Sequence, residues 1–232
     1  GGIAPESQII MIKLDDKSFE FSFCNALNYI KHIAQRENLP VVVNVSQGIN
    51  LGAHDGESVL EHACENFMDH GYARNYGCVI VKAAGNERNS KLHASPPTIP
   101  ERGSDSLRWY VPRIEQNQNH IQLWFSSPNQ FKFRLKNSKG ELTDWISLNN
   151  NFVETEFSSG NICKIYYRRH NQKDRNKDSC LDIFIHKGKD EYIQSGYWTL
   201  EIRRDGGYVV GGIHAWSEKG IKNGTYFDNH SK

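Results

Sequence analysis

Val79-Ile80-Val81-Lys82-Ala83-Ala84-Gly85-Asn86-Glu87 is the stretch of this 232-residue sequence that decides the fold. Its apolar start predicts a buried strand, and the small residues that follow allow another backbone to approach closely. The stretch then presents the uncharged carboxamide of Asn86, whose two N–H donors suit the stabilisation of an oxyanion during acyl transfer. An asparagine turn that simply closes the strand is the alternative interpretation.

Two earlier segments have the same character. GGIAPES at Gly1–Ser7 precedes the apolar run IIMI at Ile9–Ile12, and VVVNVSQG at Val41–Gly48 is a second apolar run that ends in small residues. In order and spacing, these segments and VIVKAAGNE resemble the subtilisin-like serine proteases (subtilases, peptidase family S8). The resemblance covers about residues 1 to 90, less than half of the chain.

The resemblance implies a substrate cleft at the ends of two parallel strands. The residues that it assigns are Ser46, Gln47 and Gly48 in one wall, Ala83, Ala84 and Gly85 in the facing wall, and Asn86 in the oxyanion hole. Glu87 would lie at the pocket rim and favour a basic substrate side chain, and Gln47 replaces the apolar residue common in the family. The expected partner is a polypeptide in an extended conformation, with no cofactor and no metal ion. Small residues that serve strand packing alone are the alternative for both walls.

The rest of the family's catalytic machinery is missing from the sequence. No Gly-Thr-Ser-x-Ala-x-Pro segment occurs, and the histidines His54, His62, His70 and His93 lie in none of the family's triad contexts. Because subtilases order their triad as Asp, His and Ser along the chain, we expect the Asp and His before Gly1 and the Ser downstream. The chain is therefore interpreted as the middle piece of a serine-type endopeptidase that is inactive by itself.

Helical and strand patterns alternate in the first part of the chain. Apolar residues recur at helical spacing over Phe19–Arg36 and Ser58–Gly71, and apolar runs predict strands at Ile9–Leu14, Val41–Val45 and Val79–Val81. This order predicts a partial subtilisin-like α/β peptidase core over residues 1–93, with three parallel strands, two helices and right-handed crossovers.

The pattern changes after Asn86. Residues 94–106 are rich in Pro, Gly and Ser and predict a linker. Short strands are then predicted at Leu107–Arg113, Ile121–Phe125, Phe131–Leu135, Trp145–Leu148, Phe152–Phe157, Asn161–Arg168, Leu181–Ile185, Tyr197–Ile202 and Tyr208–Trp216. They favour an inserted all-β sandwich or jelly roll at 107–217, followed by a return segment toward the peptidase core at 218–232. The layout is similar to that of the Csp-type subtilases, which carry a jelly-roll domain at this point.

Composition narrows the possible partners. The formal net charge of +1 gives no basic excess for nucleic acid, and no apolar run approaches the length of a membrane span. The odd number of cysteines and the lack of CxxC spacing favour free thiols and a reducing compartment, while localisation and oligomeric state stay open. The five cysteines are Cys24, Cys64, Cys78, Cys163 and Cys180.

Two other functions remain open at the level of sequence. A degenerate triad would make the parent protein a pseudoprotease or scaffold, in which the β-module binds a protein or carbohydrate partner. A standalone carbohydrate-binding sandwich is the other possibility, but it leaves the first ninety residues unexplained.

Overall fold

The computed structural model describes residues 2–15, 18–68, 77–113, 117–126, 129–169, 178–206, 211–218 and 224–231. These residues form two compact units. The first contains residues 1–48 and 54–84, and the second contains residues 49–53 and 85–232. By this division, residues 49–53 and 85–93, which the sequence analysis assigns to the α/β portion, group with the β-rich portion.

The first unit is an α/β layer. Its elements are α1 (Phe19–Glu37), β1 (Val41–Val45), α2 (Val59–Met68) and β2 (Cys78–Lys82). The strands β1 and β2 pair in parallel, from Val41 opposite Cys78 to Val45 opposite Lys82. The apolar stripe of α1 supplies most of the buried core, which consists of Phe23, Leu27, Ile30, Val45 and Phe67. The predicted α/β pattern and the parallel pairing are therefore confirmed for these elements.

The prediction of a strand at Ile9–Leu14 is wrong. Residues 9–14 form no strand, so the described sheet has two strands rather than three. Ile12 and Leu14 instead pack against the helical core cluster, while Ile9 and Met11 are exposed. A strand needs a neighbouring backbone as its hydrogen-bond partner, and an apolar run alone does not provide one. The second predicted helix ends at Met68 in the described region, and its remaining residues, with His70 and Gly71, lie outside the described residues.

The second unit contains two antiparallel sheets. Its strands are β3 (His93–Ala94), β4 (Ser104–Val111), β5 (Gln118–Ser126), β6 (Gln130–Lys136), β7 (Phe152–Glu156), β8 (Ile162–Arg169), β9 (Asp178–His186), β10 (Gly196–Gly206), β11 (His214–Ser217) and β12 (Tyr226–Phe227). One sheet has the order β12-β4-β10-β6, and the other has the order β3-β11-β5-β9-β8-β7.

A single apolar core joins the two sheets into a sandwich. Buried residues alternate with more accessible ones, as in β6 and over residues 198–204 of β10. Trp109 and Trp198 lie opposite each other on β4 and β10, and both are fully buried. The facing sheet contributes residues such as Leu123 and Ile183 to the same core cluster. The predicted β-sandwich is confirmed by this arrangement.

Several predicted boundaries of the β-portion differ from the structure. Residues 145–148 form no strand, and only an isolated bridge joins Ile146 to Phe133. The predicted strand at 208–216 is described only from residue 211, and its strand residues are His214–Ser217. The predicted linker contains the start of β4, and the predicted return segment contributes β12 to the sandwich. Local composition does not predict these strand pairings, because the paired residues are distant in sequence.

All five cysteines are free thiols, and Cys163 and Cys180 are buried in the sandwich. Burial raises the pKa of both thiols, so neither is prepared for nucleophilic chemistry. Within the described residues, no helix is both long enough and apolar enough to cross a membrane.

Candidate functional site

The carboxyl ends of β1 and β2 lie at the same edge of the first unit. Val45 is opposite Lys82 in the register, and the pairing continues one residue further, since the Ala83 N–H donates to the Val45 carbonyl oxygen at 3.0 Å. The two segments that leave this edge are Ser46–Gly48 and Ala83–Ala84. In open parallel sheets this edge is where ligands bind, because loops there are free to vary.

The first segment, Ser46–Gly48, is exposed along its length. The Asn44 side chain, which the alternation of β1 turns outward, donates from Nδ2 to the Ser46 hydroxyl at 3.0 Å. A methyl group added at Gly48 would meet only the Lys82 ammonium, at 3.8 Å. The segment is therefore an exposed stretch of backbone after β1, with space beside Gly48.

Lys82 is a residue of this site that the sequence analysis does not identify. Its Nζ donates to the carbonyl oxygen of Gln47 and, at 3.1 Å, to that of Ala83. The ammonium thus links the two segments across the sheet edge. In the sequence, Lys82 is a single charged residue at the end of an otherwise apolar strand. A strand end that is simply exposed to solvent has the same pattern.

The predicted residues Gly85, Asn86 and Glu87 belong to the second unit, so the predicted site residues fall into two groups. Gly85 has φ +88°, a conformation that favours glycine. Glu87 caps the turn that follows, since its carboxylate accepts the Asn86 N–H at 2.7 Å and its carbonyl oxygen accepts the Ser90 N–H at 2.8 Å. The Asn86 side chain is exposed and makes no hydrogen bond to any residue that the structure describes.

Two of the histidines named in the sequence analysis, His62 and His93, take part in local contacts, and His70 lies outside the described residues. His62 contacts the carboxylates of Glu57 and Glu65 at 3.3 and 3.2 Å on and beside α2. His93 stacks on Trp216, with ring centroids 3.8 Å apart, and shares a hydrogen bond with His214 at 3.0 Å. These contacts belong to a helix surface and to the pairing of β3 with β11. They give no sign of a nucleophile and base within the described part of the chain.

A buried polar cluster in the sandwich also escaped the sequence analysis. Asp182, only 2% exposed, accepts hydrogen bonds at Oδ1 from His120 at 3.0 Å and from Gln122 at 2.8 Å, and Oδ2 pairs with Arg168. Burial alone would raise the pKa of Asp182, but these hydrogen bonds and the Arg168 charge outweigh it, so the pKa lies below its usual value. The alternating sequence of β5 and β9 predicts that these polar residues point outward from the core, and it does not predict that they are buried.

Comparison with known proteins identifies the fold. No family model matches the chain, and no curated protein matches it. Among solved structures, the chain is similar to the CspB protease of Clostridium perfringens, with 23% sequence identity and a TM-score of 0.79. The alignment covers 99% of this chain and 46% of that protein, so the chain spans less than half of its length. At this identity the likeness shows a shared fold, and the shared fold includes both units of the chain.

Proposed function

We propose that this chain is the central part of a subtilisin-like serine endopeptidase. The observation that carries the proposal is the parallel pairing of β1 with β2, which brings the ends Ser46–Gly48 and Ala83–Ala84 to one edge of the sheet. The stretch after β2 then continues into the exposed carboxamide of Asn86. A fold shared with a protease over 99% of the chain supports the same function.

In this function, the peptide substrate binds as an added strand along the cleft segments. Its backbone pairs with the exposed backbone of Ser46, Gln47 and Gly48, opposite Ala83, Ala84 and Gly85. Gly48 leaves room for the substrate side chain, because it has no side chain of its own. Lys82 lies between the segments and favours an acidic substrate side chain, whereas Glu87 at the rim favours a basic one.

Asn86 acts in the chemical step. When the nucleophilic serine attacks the scissile carbonyl, negative charge develops on the carbonyl oxygen, and the Asn86 carboxamide donates a hydrogen bond to it. The second donor is the backbone N–H of that serine. We propose that the serine, and the aspartate and histidine that activate it, are supplied by other segments of the same polypeptide. No cofactor and no metal ion is needed for this chemistry.

The exposed face of the two-stranded sheet supports a larger catalytic domain. Val42, Val79 and Val81 point to one face and are 66, 46 and 51% exposed. Parallel sheets are almost always covered on both faces. We therefore propose that further strands and helices of the parent protein cover this face. The β-sandwich is then a jelly-roll domain inserted between the oxyanion strand and the nucleophile.

One observation favours a second function, that of a pseudoprotease or scaffold whose β-module binds a protein or carbohydrate. Tyr226, Tyr110 and Tyr197 form one cross-strand row on the outer face of the β12-β4-β10-β6 sheet. Their neighbouring ring centroids are 5.4 and 5.3 Å apart, and the Arg108 guanidinium lies 5.0 Å from the Tyr197 ring. Aromatic rows of this kind suit stacking contacts with a partner.

Active-site labelling distinguishes the two functions. The full-length parent polypeptide is treated with a fluorophosphonate, and the site of labelling is mapped by mass spectrometry. The protease proposal expects one labelled serine downstream of this chain, together with hydrolysis of an unfolded polypeptide. Absence of both labelling and hydrolysis in folded protein would contradict the protease and favour the scaffold.

A further inference from the structure

The outer face of the β12-β4-β10-β6 sheet carries a row of three tyrosines. Tyr226, Tyr110 and Tyr197 lie opposite one another in the register of three neighbouring strands. The residues next to them along the strands are buried in the core, as Trp109 and Trp198 are, so the tyrosines point outward. Tyr197 is 45% exposed, and the other two are partly buried. The row therefore presents aromatic surface on the outside of the sandwich.

Arg108 is held in a fixed position beside this row. Its guanidinium lies 5.0 Å from the centre of the Tyr197 ring and donates from Nε and Nη2 to Asp228 Oδ2, the Nε bond being 2.7 Å long. The other carboxylate oxygen and the guanidinium Nη1 make no hydrogen bond to any residue that the structure describes. The pair thus places a hydrogen-bond donor beside an acceptor, and a planar guanidinium is well suited to such paired contacts.

A similar group lies on β6 and β10. Arg134 donates from Nε and Nη2 to Glu201 Oε2 at 3.0 and 2.6 Å, and its guanidinium lies 4.6 Å from the centre of the Trp145 ring. Glu201 is opposite Arg134 and an even number of residues from Tyr197 on β10, so it points to the same face as the tyrosines. The sheet face therefore combines aromatic rings with two arginine–carboxylate pairs.

These groups match the chemistry of a sugar chain. Each sugar hydroxyl both donates and accepts a hydrogen bond, so it can contact the donor and the acceptor of one arginine–carboxylate pair. The C–H faces of a sugar ring are apolar and stack on aromatic side chains. Because neighbouring strands lie about 4.8 Å apart, the tyrosine row runs about 10 Å across the sheet. A surface of this length suits several linked sugars better than a single one.

Charge and exposure argue against other classes of partner. Arg108 and Arg134 are each paired with a carboxylate, and these carboxylates would repel the phosphates of a nucleic acid. Lys136 and Arg203 also lie at outward positions of β6 and β10, but exposed charges are screened beyond about 8 Å at physiological ionic strength. Tyr197 is the only exposed large aromatic or aliphatic residue of these four strands, as the structure describes them, whereas the centre of a protein interface is apolar. An uncharged partner rich in hydroxyl groups fits this face best.

We propose that the outer face of this sheet binds a neutral polysaccharide. Tyr110, Tyr197 and Tyr226 stack on its sugar rings, and Arg108 and Asp228 form hydrogen bonds with its hydroxyl groups. The inference rests on the second function proposed above, in which the β-sandwich binds a partner, and it names the class of that partner. Labelling and hydrolysis by the full-length parent decide the protease function separately, because the binding test needs only this chain.

Affinity electrophoresis of the 232-residue chain tests the proposal. Native gels contain one soluble neutral polysaccharide each: hydroxyethylcellulose, soluble starch, galactomannan or glycol chitin. The retardation of the chain at several polysaccharide concentrations gives the dissociation constant, and retardation by at least one of the four is expected. Parallel gels contain polygalacturonate or oligo(dT). No retardation by any neutral polysaccharide, or tighter binding to either anionic polymer, overturns the proposal and leaves the evidence for the protease unaffected.

Substitutions locate the binding site on the sheet. Tyr197→Ala removes the exposed ring and should weaken binding about tenfold, whereas Tyr197→Phe keeps the ring and should stay within about twofold. Arg108→Lys keeps the charge but loses the planar donors, so binding should weaken about fivefold, and this variant serves if Tyr197→Ala does not fold. Tyr166→Ala is the matched control, because Tyr166 is 37% exposed and lies on the other sheet. Equal weakening in the control, or unchanged binding in folded Tyr197→Ala or Arg108→Lys, overturns the site.

Discussion

The Lys82 ammonium donates a hydrogen bond to the carbonyl oxygen of Gln47, across the edge where β1 and β2 end. A second donor of the same group reaches the Ala83 carbonyl oxygen at 3.1 Å. An ammonium has three donors, so these two contacts with described residues leave one for a ligand in the proposed pocket. This contact places a positive charge at the end of β2, where the sequence pattern indicated only small residues.

Substrate preference tests the role of Lys82. Lys82→Met removes the cation but keeps most of the stem length, so the parent's ratio of kcat/KM for Glu- over Leu-containing peptides should fall about two- to fivefold, as for a partly exposed ion pair. The peptides differ only at the residue before the scissile bond. Arg88→Met is the control for general charge effects, because Arg88 is also exposed and lies nearby in sequence. An equal fall in both variants would argue against a specific pocket contact.

The oxyanion role of Asn86 predicts a pure effect on the chemical step. Asn86→Leu in the parent should lower kcat roughly 10²–10³-fold, with KM nearly unchanged, an order of magnitude taken from subtilisin. Stability should change little, because the side chain is exposed and the turn is held by backbone N–H groups. Asn89→Leu, in the same exposed turn, is the matched control. Retained kcat in Asn86→Leu would remove the assignment.

Gly85, in the turn before Asn86, and Gly48, after β1, are expected to differ in how well they tolerate a side chain. At Gly85, the positive φ of +88° and the Glu87 oxygen, 2.7 Å from an added methyl group, oppose a side chain. Gly85→Ala should therefore cost about 1–3 kcal/mol and lower kcat by moving Asn86. Gly48 lacks a positive φ and has only an ordinary contact with Lys82, so Gly48→Ala should unfold at nearly the wild-type temperature. Thermal unfolding and steady-state kinetics of both variants check the contrast; equal behaviour would contradict it.

The buried carboxylate predicts how the stability of the sandwich depends on pH. Asp182 has a folded-state pKa below its ordinary value of 3.8, so its contribution is present above about pH 4 and is lost as the pH falls through the folded-state pKa. Asp182→Asn should therefore destabilise the protein by about 1–3 kcal/mol at pH 7, with a smaller difference below pH 4. Urea unfolding at pH 7, 5 and 3 measures this. The exposed Asp144, replaced by Asn, should show no such dependence; a pH-independent deficit in Asp182→Asn would refute the linkage.

Local periodicity determined much of this fold from the sequence. The helical spacing of apolar residues predicted α1 to within one residue of its observed bounds, Phe19–Glu37, because one stripe of a helix must be buried. The two-residue alternation of Ile121–Phe125 and Phe131–Leu135 predicted strands that lie in β5 and β6, because one face of such a strand must be buried. The order of small residues after β1 and β2 also indicated which sheet edge to examine.

Tertiary structure decided the features that depend on partners far apart in sequence. The run at Ile9–Leu14 is as apolar as a strand but packs beside a helix, because strand formation requires a neighbouring backbone. Gln122 reads as an ordinary outward position of β5, yet it is buried and accepts the N–H of Gly52, 70 residues away. Periodicity indicates only which face of its own helix or strand a side chain lies on. Tertiary folding determines which distant group packs against that side chain and which hydrogen bond it makes.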